Sequence, residues 1–245
     1  MTTKPASRSA SRNIGNLNES EAPPDRRAER RSARQAQSRI EILNAAERVF
    51  GEDGMRGGSL RKIAELSGFS PAAIYLFFAN KQDLWSETLT RRANEWNDIV
   101  RKAVEGDSTP LDKLHRIVDL AIVFFGERPQ FRLLLRHIRG WTAITGADLI
   151  EFPDDVHERY LETLMCLARI VHDGQGIGQI REGSELSIAH LYSILTYEFI
   201  LFEGTPDSSN LGALTATQFH SLIDGALRSS TLENSSQWSD NLADS

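Results

Sequence analysis

The segment SPAAIYLFFANK, residues 70–81, places small and aromatic side chains between two helix-start signals. Alanine side chains let a helix approach DNA closely and can contact the methyl group of thymine. Tyr75 offers a hydroxyl group to a phosphate, and Lys81 adds a positive charge at the start of the next helix. The chemistry that these residues could do is therefore contact with the phosphates and base edges of a nucleic acid.

The residues before this segment supply the parts of a helix-turn-helix. Ala64 is small enough for a second helix to cross closely, and Gly68, four residues later, suits a left-handed turn. Ile63 and Ile74 are apolar and can pack the pair onto a supporting helix over 42–50. The pattern predicts a three-helix DNA-binding head whose second helix-turn-helix element enters the major groove.

This head resembles the DNA-binding domain of the tetracycline-repressor (TetR) family of bacterial transcription regulators. The resemblance covers about Arg34 to Trp85 and is carried without a gap by RIEILNAAERVFGEDGMRGGSLRKIAELSGFSPAAIYLFFANKQDLW. It implies phosphate contacts by serine, tyrosine and lysine side chains and a base-reading role for the exposed part of 70–77. The predicted DNA-contacting residues are Ser59, Ser70, Pro71, Ala72, Ala73, Tyr75, Leu76, Phe77 and Lys81.

Two departures from the family pattern affect the reading surface. Ala72 and Ala73 stand where many members have Gly-Thr, and Phe77 stands where histidine is frequent. The substitutions remove a hydroxyl group and a hydrogen-bond donor. They leave the operator sequence undetermined, whereas the fold does not depend on them.

The charge distribution agrees with a nucleic-acid partner. The net charge of the 245 residues is −6, but residues 26–81 carry 11 Lys/Arg and 6 Asp/Glu, a net of +5. Residues 101–245 carry 12 and 21, a net of −9. The chain therefore has a basic head and an acidic body, which the overall charge conceals.

Apolar periodicity along the chain is helical, and the predicted fold class is all-α. We expect a disordered basic tail over 1–33, a helix-turn-helix domain over 34–85, a helical domain over 86–229 and a flexible tail over 230–245. No run of about 18 apolar residues exists, so no membrane span is predicted. The lone Cys166 fits a reducing cytoplasm.

The body, over 86–229, lacks a comparable motif, and the resemblance implies that it binds an effector and dimerises. The helices predicted over 185–203 and 211–229 would pair with a second copy, although burial within a monomer also explains the first of them. Large side chains at helical spacing are more often core than ligand contacts. The candidates for lining an effector pocket are Trp96, Phe125, Trp141, Met165 and Tyr197.

No cofactor, metal site or catalytic pair is predicted. The six histidines are scattered singly, and the glycines of 173–184 miss the dinucleotide-binding spacing. We therefore expect a homodimeric repressor released from operator DNA by a small apolar or aromatic effector. One alternative is a DNA-binding protein of the same fold that acts through protein partners or architecture. Another is an enzyme with a vestigial head, which the lack of a paired acid and base disfavours.

Overall fold

The computed structural model describes residues 1–2, 26–138, 153–202, 212 and 214–229. Within them the chain is helical and forms no β-strand, which confirms the all-α class. Residues Met1–Ser38 and Arg39–Ser245 form two compact units. The helices are α1 (Arg26–Gly57), α2 (Leu60–Ser67), α3 (Pro71–Ile74), α4 (Lys81–Ala103), α5 (Pro110–Gly126), α6 (Pro129–Ile138), α7 (Asp154–Gly176), α8 (Glu185–Phe202) and α9 (Ala216–Leu227).

The N-terminal arm is more ordered than the sequence predicts. Residues 26–33, expected to be disordered, form the first turns of α1. Arginine, alanine, glutamate and glutamine favour helix, and they dominate this stretch. The remainder of the predicted tail, over 3–25, and the C-terminal tail over 230–245 lie outside the described residues.

Side-chain caps start the helices of the head. The Ser70 hydroxyl accepts a hydrogen bond from the Ala73 amide at 3.1 Å, and Pro71 occupies the first position of α3. The Asn80 side chain accepts one from the Asp83 amide at 2.9 Å. These caps satisfy amides that have no partner within the helix. Both helix starts therefore lie where the sequence places them.

The turn between α2 and α3 has the predicted geometry. Gly68 adopts a left-handed conformation, with φ of 75° and ψ of 15°. Ile63, Ala64 and Ile74 are buried against α1, and Phe78 is buried beside them. The second element is shorter than a full recognition helix, because α3 ends at Ile74 and continues as a tight turn.

The core of the head continues into the body. Phe50 of α1 packs edge-to-face against Trp85 of α4, with ring centroids 5.2 Å apart. The same hydrophobic cluster includes Phe124 of α5 and Leu134 of α6. The packing therefore does not end near residue 85, where the sequence suggests a domain boundary.

The body packs α7 against α4, α5 and α8. Tyr192 of α8 is buried and donates a hydrogen bond to the carbonyl oxygen of Leu114 in α5 at 2.7 Å. Leu191 and Leu195, one turn apart, are exposed on another side of α8. A helix that is apolar on nearly all sides thus has one buried face and one exposed face. None of the helices in the described ranges is both long and apolar enough to cross a membrane.

Candidate nucleic-acid interface and ligand cavity

The predicted reading surface is exposed around α3. Pro71 and Ala72 are exposed at its start, Tyr75 is 54% exposed and Leu76 is 81% exposed. Ser59 precedes α2, is exposed, and makes no capping hydrogen bond with its side chain. A surface of small, apolar and hydroxyl-bearing side chains at two helix N-termini suits contact with phosphates and base edges.

Arg39 of α1 fixes the end of this surface. Its guanidinium lies over the Phe78 ring, 4.5 Å from the centroid, and Nη1 donates to the Phe77 carbonyl oxygen at 2.7 Å. Nε also donates to Glu87 of α4 at 3.1 Å. Arg39 therefore holds the turn after α3 against α1 and α4. The sequence shows only an arginine on a helix, so this role could not be predicted from it.

Glu47 of α1 joins the head to α4 through a buried ion pair. Its carboxylate accepts hydrogen bonds from Arg92 Nε at 2.7 Å and from Arg91 Nη2 at 2.9 Å. Burial lowers the pKa of Arg91, and the neighbouring Arg92 adds to this effect. Burial also opposes the charge of Arg92, but its hydrogen bonds with Glu47 and Glu95 outweigh burial and raise its pKa. Both guanidinium groups stay charged at neutral pH.

A cavity of about 180 Å³ lies in the body among α4, α5, α6, α7 and α8. Its walls are mainly apolar and aromatic: Phe125 stacks on Phe131 with centroids 5.9 Å apart, and Trp96 packs 5.7 Å from Phe125. Concave apolar sites with a few polar groups are typical of small-molecule binding sites. The cavity is therefore a candidate effector site.

Most polar groups on the cavity wall already have partners. Asn97 donates to Glu162 at 2.7 Å and accepts from the Thr163 hydroxyl. Burial raises the pKa of Tyr160, whose hydroxyl lies 2.6 Å from His190 Nδ1. The wall residues thus form a satisfied network around an apolar space.

Helix α6 connects this cavity to the head. Phe131, Leu135 and Ile138 of α6 line the cavity. The Gln130 carbonyl oxygen would lie 2.6 Å from a Cβ atom on Gly51 of α1, a distance that only glycine permits. A displacement of α6 by a ligand would therefore press directly on the helix that supports the reading surface.

The head of the chain is similar to the heads of known bacterial regulators. The family model for bacterial regulatory proteins of the tetR family matches residues 42–88, the whole helix-turn-helix and the start of α4. The helix-turn-helix head of the chain belongs to the TetR family. The chain is thus similar to transcriptional regulators of that family, with a helix-turn-helix head and a helical C-terminal domain.

Relatives of this chain extend the match in two ways. The fatty acid metabolism regulator protein of Bacillus subtilis (strain 168) is 23% identical over 154 residues, covering 61% of this chain and 74% of the relative. The HTH-type transcriptional repressor BepR of Brucella suis biovar 1 (strain 1330) is 34% identical over 104 residues, covering 41% and 50%. The match with the Bacillus subtilis protein is therefore long enough to extend into the body. The match with BepR spans only half of BepR.

A solved structure shows the same fold. The FadR regulator of Bacillus subtilis, in complex with stearoyl-CoA, aligns with a TM-score of 0.61 at 18% identity and covers 76% of this chain and 95% of that one. At that level of identity the likeness concerns the fold alone.

The predicted ligand-contacting residues of the body divide into three groups. Trp96, Phe125 and Tyr197 line the cavity. Met165 does not: it lies on the outer face of α7 and is 60% exposed, because the helical register turns it away from α4 and α8. Trp141 lies outside the described residues.

Histidines that are far apart in sequence meet in the body. His115 of α5 stacks on His220 of α9, with centroids 4.6 Å apart, and each lies near an aspartate of the opposite helix. The described residues hold no group of three or more possible metal ligands. The pair therefore joins α5 to α9, a contact that the scattered spacing of the histidines does not indicate.

Lys81 and Phe77 have structural contacts besides any contact with DNA. Lys81 Nζ donates to the carbonyl oxygens of Arg56 at 3.2 Å and Gly58 at 3.1 Å, which joins α4 to the end of α1. Phe77 is half-buried and packs edge-to-face on Phe69, 6.2 Å between centroids. Removing Lys81 would therefore affect the stability of the fold as well as any contact with DNA.

We expect Lys81→Ala to lower the free energy of unfolding by about 1 kcal/mol, because two carbonyl groups lose their charged donor. Tyr75→Ala should leave that free energy nearly unchanged, because the exposed ring packs little. Both substitutions should weaken operator binding. Urea denaturation of the two variants measures the difference, and equal midpoints for Lys81→Ala and the parent chain would show that the two hydrogen bonds of Lys81 do not stabilise the fold.

Proposed function

We propose that the protein is a homodimeric repressor that leaves its operator when a small apolar effector enters the cavity. Residues 34–85 would read DNA, and 86–229 would bind the effector and dimerise. The observation that carries the proposal is the position of α6, which lines the cavity with one face and touches Gly51 with another. A regulator of chromosomal genes would act in the cytoplasm.

Release would follow from a shift between two arrangements of the dimer. A ligand favours whichever arrangement it binds more tightly, and an occupied cavity would favour one whose heads are wrongly spaced for the operator. A 100-fold loss of operator affinity requires about 2.7 kcal/mol of coupling, which lies within the usual range for allosteric proteins. Helices α6 and α1 pack closely at Gly51. A shift of α6 would therefore be passed on to α1, because close-packed interfaces are hardly compressible and transmit strain.

The printed descriptions of the relatives support a ligand-responsive repressor. One is a transcriptional repressor, and one solved structure of this fold holds stearoyl-CoA. The cavity also weighs against the alternative in which the protein senses no ligand, since a protein of purely architectural function needs no such space.

Dimerisation would use the exposed faces of α8 and α9. Leu191 is exposed on α8, and Leu222 is exposed on α9. A contiguous apolar patch on the surface marks a protein–protein contact, and these leucines would form one if they lie side by side across α8 and α9. A two-fold dimer would place two heads on half-sites about one DNA turn, or a multiple of it, apart.

A single charged side chain on the exposed face of α8 should separate the two subunits of the proposed dimer. We expect Leu191→Glu to convert the dimer into a monomer at micromolar concentration and to reduce operator affinity by at least about tenfold, because each monomer holds only one half-site. Sedimentation velocity and fluorescence anisotropy with an operator fragment measure the two effects. The matched control is Ile177→Glu, an equally exposed position at the end of α7. A parent chain that sediments as a monomer would contradict the proposal.

The N-terminal arm should add phosphate contacts that do not depend on sequence. Arg26, Arg30 and Arg34 fall four residues apart on one face of α1. Replacing all three with glutamine should reduce the slope of log affinity against log salt by about 0.9 for each phosphate that the arm no longer neutralises. Lysine at the same positions should preserve the slope. If the glutamine variant keeps the parent slope between low and moderate salt, the arm does not contact DNA.

A further inference from the structure

The residues of α3 and the turn after it form a short segment with two faces. Helix α3 ends at Ile74, but the chain keeps a helical path, because the Phe77 and Phe78 amides donate to the Ile74 carbonyl oxygen at 2.9 Å and 3.0 Å. Ile74 and Phe78, four residues apart, are buried in the head. Ala72 and Leu76, also four residues apart, are exposed. Residues at this spacing are neighbours on a helix surface, so the exposed face presents an alanine beside a leucine.

Contacts at both ends hold this segment in place. The Arg39 guanidinium lies over the Phe78 ring and donates to the Phe77 carbonyl oxygen. At the other end, the Ser70 hydroxyl caps α3 by accepting from the Ala73 amide. The exposed face is therefore fixed before any partner binds, and a fixed surface loses less conformational entropy on binding.

The segment offers few hydrogen-bonding groups to a base. Residues 69–79, FSPAAIYLFFA, include no lysine, arginine, asparagine, glutamine, aspartate or glutamate. Those are the side chains that pair with guanine, adenine or cytosine in the major groove, whereas an apolar side chain contacts the C5-methyl group of thymine. Hydroxyl groups remain on Ser70, whose oxygen already caps α3, and on Tyr75. Ala72 and Leu76 themselves can recognise a base pair only by an apolar contact.

The charge around the segment favours DNA as the occupant of this apolar face. Residues 26–81 carry a net charge of +5. A basic surface attracts the phosphates of a duplex irrespective of its sequence. Sequence must then be read by the side chains that reach the base edges, which on this face are apolar.

We propose that the helix-turn-helix recognises thymine methyl groups in the major groove through contacts with Ala72 and Leu76. The inference rests on the proposed function, because it names the feature of the operator that the same surface reads. The operator would carry thymine at the positions that face these two side chains. Cytosine there would lose the contact, and 5-methylcytosine, which carries the same methyl group on the same ring carbon, would restore it.

Replacement of thymine by deoxyuridine in a genomic fragment selected with the parent chain tests the inference. Uracil lacks the methyl group of thymine but keeps its O4 acceptor, so only the apolar contact is lost. Fluorescence anisotropy should show a loss of affinity of about fourfold for each methyl group that the protein covers. At thymines replaced by cytosine, 5-methylcytosine should bind more tightly than cytosine.

Substitutions in the protein identify the side chains that make the contact. Leu76→Ala should reduce the preference for thymine over uracil, and Leu76→Met should keep it, because methionine preserves an apolar contact. The combined change of Ala72→Gly and Leu76→Ala should abolish it. The matched control is Val123→Ala, at an exposed apolar position of α5, which should keep the preference of the parent chain.

Equal affinity of the parent chain for the thymine and uracil duplexes, or a preference that survives the combined change, would overturn the inference. If the combined variant does not fold, the two affinities of the parent chain still decide. Equal affinities together with a loss on 7-deazaguanine, which lacks the N7 acceptor, would assign the reading to a guanine contact by a cation such as the exposed Arg61. Failure of the proposed function would look different, because the parent chain would then enrich no shared sequence.

Discussion

Replacing Glu47 with alanine should lower the free energy of unfolding by about 3 kcal/mol. The carboxylate is 6% exposed and holds both Arg91 and Arg92. Removing one partner of a buried ion pair leaves the other charge without compensation, which costs about 3–5 kcal/mol. The lower end applies here because Glu95 still pairs with Arg92. The loss would fall on the contact between α1 and α4.

Chemical denaturation followed by far-ultraviolet circular dichroism measures this loss. The matched control is Glu52→Ala, on the same helix, where the carboxylate pairs with Arg48 and Lys62 at the surface. Exposed ion pairs contribute little, and the control should keep the parent midpoint. Similar midpoints for the two alanine variants would show that the Glu47 pair does not hold the head to α4.

Leu76→Glu should weaken operator binding by at least about 100-fold with no loss of stability. The side chain is 81% exposed, so little packing is removed. On a surface pressed into a DNA groove, the new carboxylate would face phosphates, and like charges brought together in an interface cost several kcal/mol. The predicted effect on affinity is therefore much larger than the effect on folding.

Fluorescence anisotropy with an operator duplex, together with thermal denaturation, separates the two effects. Val123→Glu is the matched control, because Val123 is also an exposed apolar residue but lies on α5 in the body. It should bind the operator as the parent chain does. Equal operator affinity of Leu76→Glu and the parent chain would place the reading surface elsewhere.

The head could be predicted from the sequence because its signals are local. The left-handed turn needs Gly68, the start of α3 needs the Ser70–Pro71 pair, and the core needs apolar residues at short spacing. Each of these requirements involves residues a few positions apart, and each is met in the structure. The exposure of Tyr75 and Leu76 follows from the same periodicity.

The connections between helices could not be predicted, because their partners are far apart in sequence. Arg39 meets Phe77 and Glu87, and Glu47 meets Arg91 and Arg92, only after α1 and α4 have packed. The cavity is formed by side chains from five helices. Looking for large aromatic residues in the sequence finds only some of these side chains. Met165 shows the limit of that approach: its size suggested a pocket, but its register on α7 points it outward.

Selection of fragments of the source genome with the purified chain shows whether the helix-turn-helix recognises a specific DNA sequence. The enriched fragments should share two inverted half-sites, about one helical turn of DNA apart or a multiple of it, and Leu76→Glu should enrich none of them. A parent chain that retains no duplex at low ionic strength, or that enriches fragments without a shared sequence, would contradict the claim that the helix-turn-helix of this chain reads an operator.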